Sequence, residues 1–342
     1  MRTTSFLTVA AAAALIAAPT AFGQGEEPGP SGLPEAEAQR GVTEPLPEPK
    51  PATVSLKVGG INGGKLDVGH RARAVGIVRP FVPGQTVRVQ LTRRGNAVDG
   101  RVARIRQIGA ENRGKFRLVS APLVKSGPYR VRAKKLPTEG QDGFEVHSDR
   151  FGIRYPNLGA GQSSNAVELF NELLAAKAYV TAQGRHYGSA TGRAVLAFRK
   201  VNGMARTTDA TTRIFKTLAD GKGGFNLKWP EGGKHVEADL SRQVMVLARY
   251  GKPQHIFHIS SGAPATPTIT GKLATFRKDY GTNSLGMIHS VYFGPTNRGY
   301  ATHGYKSVPT YPASHGCLRN PPPNSKFIYN WIDIGDIFYV YP

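Results

Sequence analysis

The chain of 342 residues holds 45 Lys and Arg against 23 Asp and Glu, a formal net charge of +22, and a single cysteine. One thiol excludes an internal disulfide, which leaves an intermolecular bridge, a free reactive thiol or a metal ligand. The basic excess points to solvation or to anionic partners, not to a particular fold.

Met1-Arg2 gives a short positive start, Phe6 to Ala18 is an apolar run too short to span a bilayer, and Ala21-Phe22-Gly23 ends in small residues. Residues 1–23 are expected to be a removed secretory signal, which makes the protein extracytoplasmic: secreted, periplasmic or associated with the cell wall. No cysteine near the cut is there to take a lipid, and no later stretch is apolar enough for a transmembrane anchor. Residues 24–52 carry six Glu against Arg40 and Lys50, with abundant Pro and almost no large apolar side chains. Such a segment cannot bury enough surface to offset its ordering entropy, and it is read as a disordered, extended linker. About 290 residues follow, enough for two or three domains.

Residues 53–154 alternate apolar and polar side chains with period two, as in Thr86-Val87-Arg88-Val89-Gln90-Leu91 and Tyr129-Arg130-Val131-Arg132-Ala133. Turn signals at Pro83-Gly84, Arg94-Gly95-Asn96 and Ser126-Gly127-Pro128 separate the runs, which predicts an all-β, sandwich-like domain. This stretch has 21 Lys and Arg against 7 Asp and Glu, a net of +14. Two readings stand: solvated strand faces, or adhesion to an anionic polymer, which outside the cell means wall polymers or lipid headgroups. Nucleic acid is not expected in that compartment, and no aromatic stacking pattern supports it.

Residues 155–220 switch to helical spacing, with Val167, Phe170 and Leu174, then Val195 and Phe198, then Thr211, Ile214, Phe215 and Leu218. Ser189 and Thr208-Asp209 are the expected caps. The stretch Gly188-Ser189-Ala190-Thr191-Gly192-Arg193-Ala194-Val195-Leu196-Ala197-Phe198, followed by Asn202-Gly203, resembles the three-helix peptidoglycan-binding-like repeat. That family usually has Gln after the Phe, where this chain has Arg199. Binding of glycan or peptide and a plain spacer role both remain open for this module. Residues 221–233 are read as a Gly-rich linker.

Residues 234–342 predict a mostly-β unit. Gln243–Ala248 and His255–Ser260 flank Gly251-Lys252-Pro253 as a hairpin. Pro321-Pro322-Pro323 and Asn324 start a short helix with Phe327, Ile328 and Trp331 on one face, and Ile337–Tyr341 is a closing strand. The one cysteine lies in Ser314-His315-Gly316-Cys317-Leu318-Arg319, fourteen positions after His303-Gly304. An imidazole near a thiol can take its proton and leave a nucleophilic thiolate, so the pattern points to cysteine acyl transfer.

Those two motifs, with Ala265-Thr266-Pro267-Thr268, Tyr292-Phe293 and Gly335-Asp336, resemble the L,D-transpeptidase (YkuD-type) catalytic domain over roughly 236–342. The resemblance implies a peptidoglycan cross-linking enzyme that joins one diaminopimelate to another (a 3-3 link) through a Cys317 thioester, releasing D-alanine. By that match His303 is the base and the Gly304 carbonyl orients its ring. His315 and the amides of Gly316 and Cys317 are then candidate oxyanion donors, and Ser314, Arg319, Tyr292 and Tyr305 candidate substrate contacts. Carbapenem-type inhibitors are expected to acylate Cys317; no cofactor or metal is expected. The Thr266–Leu273 stretch is longer than the family's compact form, a departure outside the signature.

Other readings stay open at this point. Cys317 is alternatively a small buried hydrophobe, or a zinc ligand together with His303, His315 and His289. His315 is alternatively the base, Arg319 a partner in a structural ion pair, and Tyr292 and Tyr305 packing residues. Hydrolysis of the same acyl-enzyme gives an L,D-carboxypeptidase, and a non-catalytic wall-binding protein is the alternative of a different class. Papain-like wall hydrolases place cysteine before histidine, and sortases lack the His-Gly-Cys triplet, so both fit worse.

Overall fold

A computed structural model describes residues 48–342, which belong to one compact unit. The predicted signal at 1–23 and most of the linker at 24–52 lie outside the described residues. The first strands are β1 (Thr53–Gly59), β2 (Lys65–Asp67), β3 (Arg71–Arg79), β4 (Thr86–Arg93) and β5 (Asn96–Arg104). They continue as β6 (Arg106–Gln107), β7 (Gly114–Pro122), β8 (Tyr129–Lys135), β9 (Phe144–His147) and β10 (Gly152–Arg154). Two four-stranded antiparallel sheets form, ordered β1-β3-β7-β6 and β5-β4-β8-β9, while β2 and β10 pair in parallel. The period-two pattern explains the burial: Val87, Val89, Leu91 and Val131 point into the core, and the intervening arginines point out.

The helices α1 (Asn165–Ala175), α2 (Ser189–Val201) and α3 (Thr212–Ala219) follow. Their apolar spacing matches their buried faces, but the caps differ from expectation. Ser164 caps α1 by accepting from the Val167 amide, whereas α2 has Gly188 at its cap and Ser189 as its first helical residue. At α3, Asn157 accepts from the Thr212 amide at 2.7 Å, a long-range contact that local sequence cannot reveal. Thr208 and Asp209 belong instead to a loop held by Arg199, whose guanidinium donates to the Asp209 and Ala205 carbonyls. That employment accounts for the arginine that departs from the helical repeat.

The C-terminal part contains β11 (His235–Asp239), β12 (Val244–Arg249), β13 (Lys252–His258), β14 (Gly271–Thr282), β15 (Ile288–Phe293), β16 (Ala301–Gly304), β17 (Leu318–Asn320), α4 (Pro322–Trp331) and β18 (Ile337–Tyr341). One eight-stranded sheet runs β13-β12-β11-β18-β14-β15-β16-β17, so the last strand is central and β17, next to the cysteine, is an edge. On α4 Ile328 is buried, but Phe327 is 43% exposed and lies against the His255 ring.

The boundaries read from sequence do not divide the core. One apolar cluster runs from Leu56 through the helices to Val244, Val246 and Ile256 of the C-terminal sheet. Residues 221–233 contain no helix or strand, yet they are packed: Phe225 is buried, Trp229 stacks on Tyr339 at 4.5 Å, and Glu237 accepts from the amides of Lys228 and Trp229. Large aromatic side chains anchor this glycine-rich linker. Lys200 of α2 meets the end of the β12–β13 pair, donating to the Gln243 carbonyl (3.1 Å) and the Ile259 carbonyl (2.9 Å).

Candidate active site

Strands β16 and β17 pair in parallel, with Thr302 opposite Leu318 and His303 opposite Arg319. Side chains two apart share a strand face. His303 and Arg319 therefore look out on one side, joined by Tyr305 and by Cys317 just before β17, while Leu318 and Asn320 face inward and are buried. The His303 and Tyr305 rings meet edge-on at 5.7 Å, and the Arg319 guanidinium lies 4.4 Å from the Tyr305 ring centre. Gly304 leaves room for α4: a side-chain carbon there would stand 2.8 Å from Ser325.

His303 is buried, and its Nδ1 is 3.0 Å from the Gly304 carbonyl oxygen. A carbonyl can only accept, so Nδ1 carries the proton and Nε2 is left with a free lone pair. Burial holds the His303 pKa below the usual imidazole value; the Gly304 bond opposes this and the Arg319 charge adds to it. The ring is a neutral base at rest.

The cysteine loop is held from beneath. Ser314 accepts from the Gly316 amide at 3.1 Å and donates to the Cys317 carbonyl, closing a tight turn. Its carbonyl accepts from the Ala263 amide (2.8 Å) and the Thr266 hydroxyl (3.0 Å). The longer Thr266–Leu273 stretch therefore does bear on the signature, through Thr266. Gly316 has φ +112°, and a side-chain carbon there would come within 2.8 Å of Tyr300. Only glycine fits this turn without strain.

Cys317 is a half-buried free thiol whose Sγ donates to the Gly299 carbonyl at 3.4 Å. Burial pushes its pKa up, with the Ala301 amide and the Arg319 charge opposing. Both groups are thus pushed toward their neutral forms, thiol and imidazole, and the Gly299 carbonyl lies within hydrogen-bond reach of Sγ.

Two sequence expectations need correction. Ser314 is 2% exposed, and its hydroxyl donates its one hydrogen and accepts one bond inside the turn, so burial and these bonds turn it away from a substrate. The Gly316 amide is spent on that hydroxyl, which leaves the Cys317 amide and the exposed His315 as the oxyanion candidates from this turn. Among the described residues Arg319 has no carboxylate partner, so the ion-pair reading loses its ground. Tyr292 is buried beneath the Arg277 guanidinium (3.8 Å) and packs with Met287 and Ala301 beside Cys317. His289 accepts from the Gly281 amide and lies against Tyr280 and Tyr329. Among the described residues no group of three or more His, Cys, Asp or Glu side chains is arranged to hold a metal.

Sequence reasoning missed the second layer. Ser260 and Ser261 fix the far end of the 305–313 loop, by the Ser260 hydroxyl on the Tyr311 carbonyl (2.7 Å) and the Ser261 carbonyl on the Ala313 amide (2.9 Å). Arg206, from the helical module, reaches the Thr310 carbonyl of the same loop and the Ser241 carbonyl. The Ser260-Ser261-Gly262 run was the one local signal of this role.

The family described as YkuD, L,D-transpeptidase catalytic domain, matches residues 233–340. None of the curated proteins compared with the chain matches it. A solved L,D-transpeptidase fragment from Xylanimonas cellulosilytica is similar at 28% identity and TM-score 0.50, over 54% of this chain and 98% of that one. That length exceeds the family match, so the likeness includes residues outside 233–340. The Enterococcus faecium L,D-transpeptidase catalytic domain acylated by ertapenem is 27% identical over 32% of this chain and 97% of its own, with a TM-score of 0.27.

Proposed function

We propose, from the premise that residues 233–340 are an L,D-transpeptidase catalytic domain, that the protein cross-links peptidoglycan stem peptides through a Cys317 acyl-enzyme. The thiol turns from Gly299 toward His303, Nε2 takes its proton, and sulfur attacks the carbonyl carbon of the donor residue, which by family resemblance is diaminopimelate. The resulting oxyanion is met by the Cys317 amide and His315. As the C–N bond breaks, His303 returns the proton to the departing D-alanine amine, leaving a thioester. A side-chain amine of a second stem peptide then attacks, gives its proton to Nε2, and the thiolate leaves and is reprotonated. Arg319, stacked on Tyr305 and without a carboxylate partner among the described residues, is suited to grip a stem-peptide carboxylate with its planar fork. This work belongs outside the cytoplasm, where that polymer lies.

The observations that support the reading are the β16–β17 register, with His303 opposite Arg319 and its Nε2 lone pair free, and the packing of Cys317, just before β17, beside Ala301 of β16. The test is intact-protein mass spectrometry after incubation with a carbapenem. A one-to-one adduct mapped to Cys317 and lost in Cys317→Ala is expected. No adduct on the folded wild-type protein would count against the reading.

A further inference from the structure

Strands β5 and β6 are the edges of their two sheets, and between them and β7 lies a groove of about 510 Å³. Arg101, Arg104, Arg106, Lys115 and Arg117 line it, and no carboxylate does. None of the five has an Asp or Glu partner among the described residues. Arg106 and Lys115 are direct cross-strand partners, an arrangement that destabilises a sheet when both are charged. Arg101 also reaches across from β5 to donate to the Arg117 carbonyl at 3.1 Å, which fixes one wall to the other.

Edge protection against aggregation is the plain explanation for cations on edge strands. The other end of the same sheet argues against it as the whole account. There, Glu145 of β9 is 2.7 Å from Arg132 and 3.8 Å from Lys134, so part of the positive charge is met by a carboxylate. On the β5–β6 side all five cations line one concave surface, and among the described residues none is paired with a carboxylate, whereas in the hollow at the β8–β9 end Arg132 is paired with Glu145.

We propose that this groove binds an extended polymer bearing repeated phosphodiester charges. Arginine forks match phosphate oxygens in pairs, and a line of them along two strand edges suits a chain better than a single ion. The concavity suits a strand of polymer better than a flat bilayer. Phe116, the groove's one aromatic, is 2% exposed, so no platform exists for stacking bases, and a polymer without bases is favoured over nucleic acid. The site lies in the β-strand region, apart from Cys317, and would hold the enzyme near its wall without taking part in acyl transfer.

The test uses the chain from residue 24 onward and a fluorescent poly(glycerol phosphate) oligomer, read by anisotropy over a salt series. With five phosphate contacts, log K should fall with log salt at a slope of about −3 to −4. Arg104→Gln with Arg106→Gln should weaken binding about 10-fold or more and reduce the slope by about 1.4. Lys57→Gln with Lys65→Gln removes the same charge from exposed positions outside the groove and should change binding less than about 2-fold. Equal losses in the two double variants would overturn the proposal in favour of diffuse net charge. It would also be overturned by no binding, by tighter binding of an oligo(dT) of equal charge, or by groove-dependent binding to phosphatidylglycerol vesicles without binding to the oligomer. Carbapenem acylation of Cys317 is unchanged in every one of these outcomes, so this test and that of the catalytic reading fail separately.

Discussion

Lys200 gives a quantitative handle on how the helical module is joined to the catalytic sheet. The residue is 2% exposed, and burial, helped by the Arg206 charge, pushes its pKa down to about 7 from 10.5. Two carbonyls accept from Nζ, which a neutral amine can satisfy with its two hydrogens. A pKa lower in the folded state means that the unfolded chain binds the extra proton between about 7 and 10.5, so stability rises with pH across that window. Each unit is about 1.4 kcal/mol, which gives a gain of about 2–3 kcal/mol between pH 7.5 and 9.5. Tyrosine and thiol ionisation in the unfolded chain work the other way, but they are common to wild type and variant. The assay is urea unfolding at both pH values for wild type and Lys200→Met. The difference in stability between the two proteins should move by about 2–3 kcal/mol with pH. Parallel pH curves would refute the reasoning and mean that Lys200 stays charged in the fold.

Gly316→Ala must place a side chain at φ +112° against Tyr300. Carbapenem acylation should fall on the order of 10²-fold through misplacement of the adjacent sulfur, with unfolding by denaturant showing a loss of about 1–3 kcal/mol. Because burial raises the Cys317 pKa, iodoacetamide should alkylate it at pH 7 more slowly than a free cysteine, with the rate climbing only above the ordinary thiol range. The lowered His303 pKa keeps that base neutral to lower pH, so the acid limb of carbapenem acylation should lie below pH ~6.5. Arg206→Ala releases the loop between His303 and Cys317 from the helical module. It should slow acylation about 10-fold while Arg206→Lys recovers part of the loss, as measured by adduct formation over time.

Much of this site was legible because its elements are local. Period-two alternation identifies strands such as β4 and β8, and the His-Gly and Ser-His-Gly-Cys motifs sit on consecutive stretches of chain. What stayed hidden depends on contacts between distant segments. Asn157 caps a helix 55 residues away, Arg206 meets Thr310 across 104 residues, and Asp220 accepts from the Ser126 amide and hydroxyl across 94. Composition marked residues 221–233 as a Gly-rich linker but did not show how Phe225 and Trp229 pin it, because both pack against distant segments. The role of Ser314 was misjudged for a similar reason: a hydroxyl in a catalytic motif invites a substrate role, and only its two internal bonds reveal that it braces the turn.

The central claim is acyl transfer between stem peptides through Cys317. Its most direct test is mass spectrometry of a disaccharide-tetrapeptide incubated with the protein and with Cys317→Ala. The account predicts a dimer lacking one D-alanine, formed by the cysteine-containing protein alone. Tripeptide without dimer would make the enzyme an L,D-carboxypeptidase, and unchanged substrate across stem-peptide variants would contradict the catalytic reading altogether.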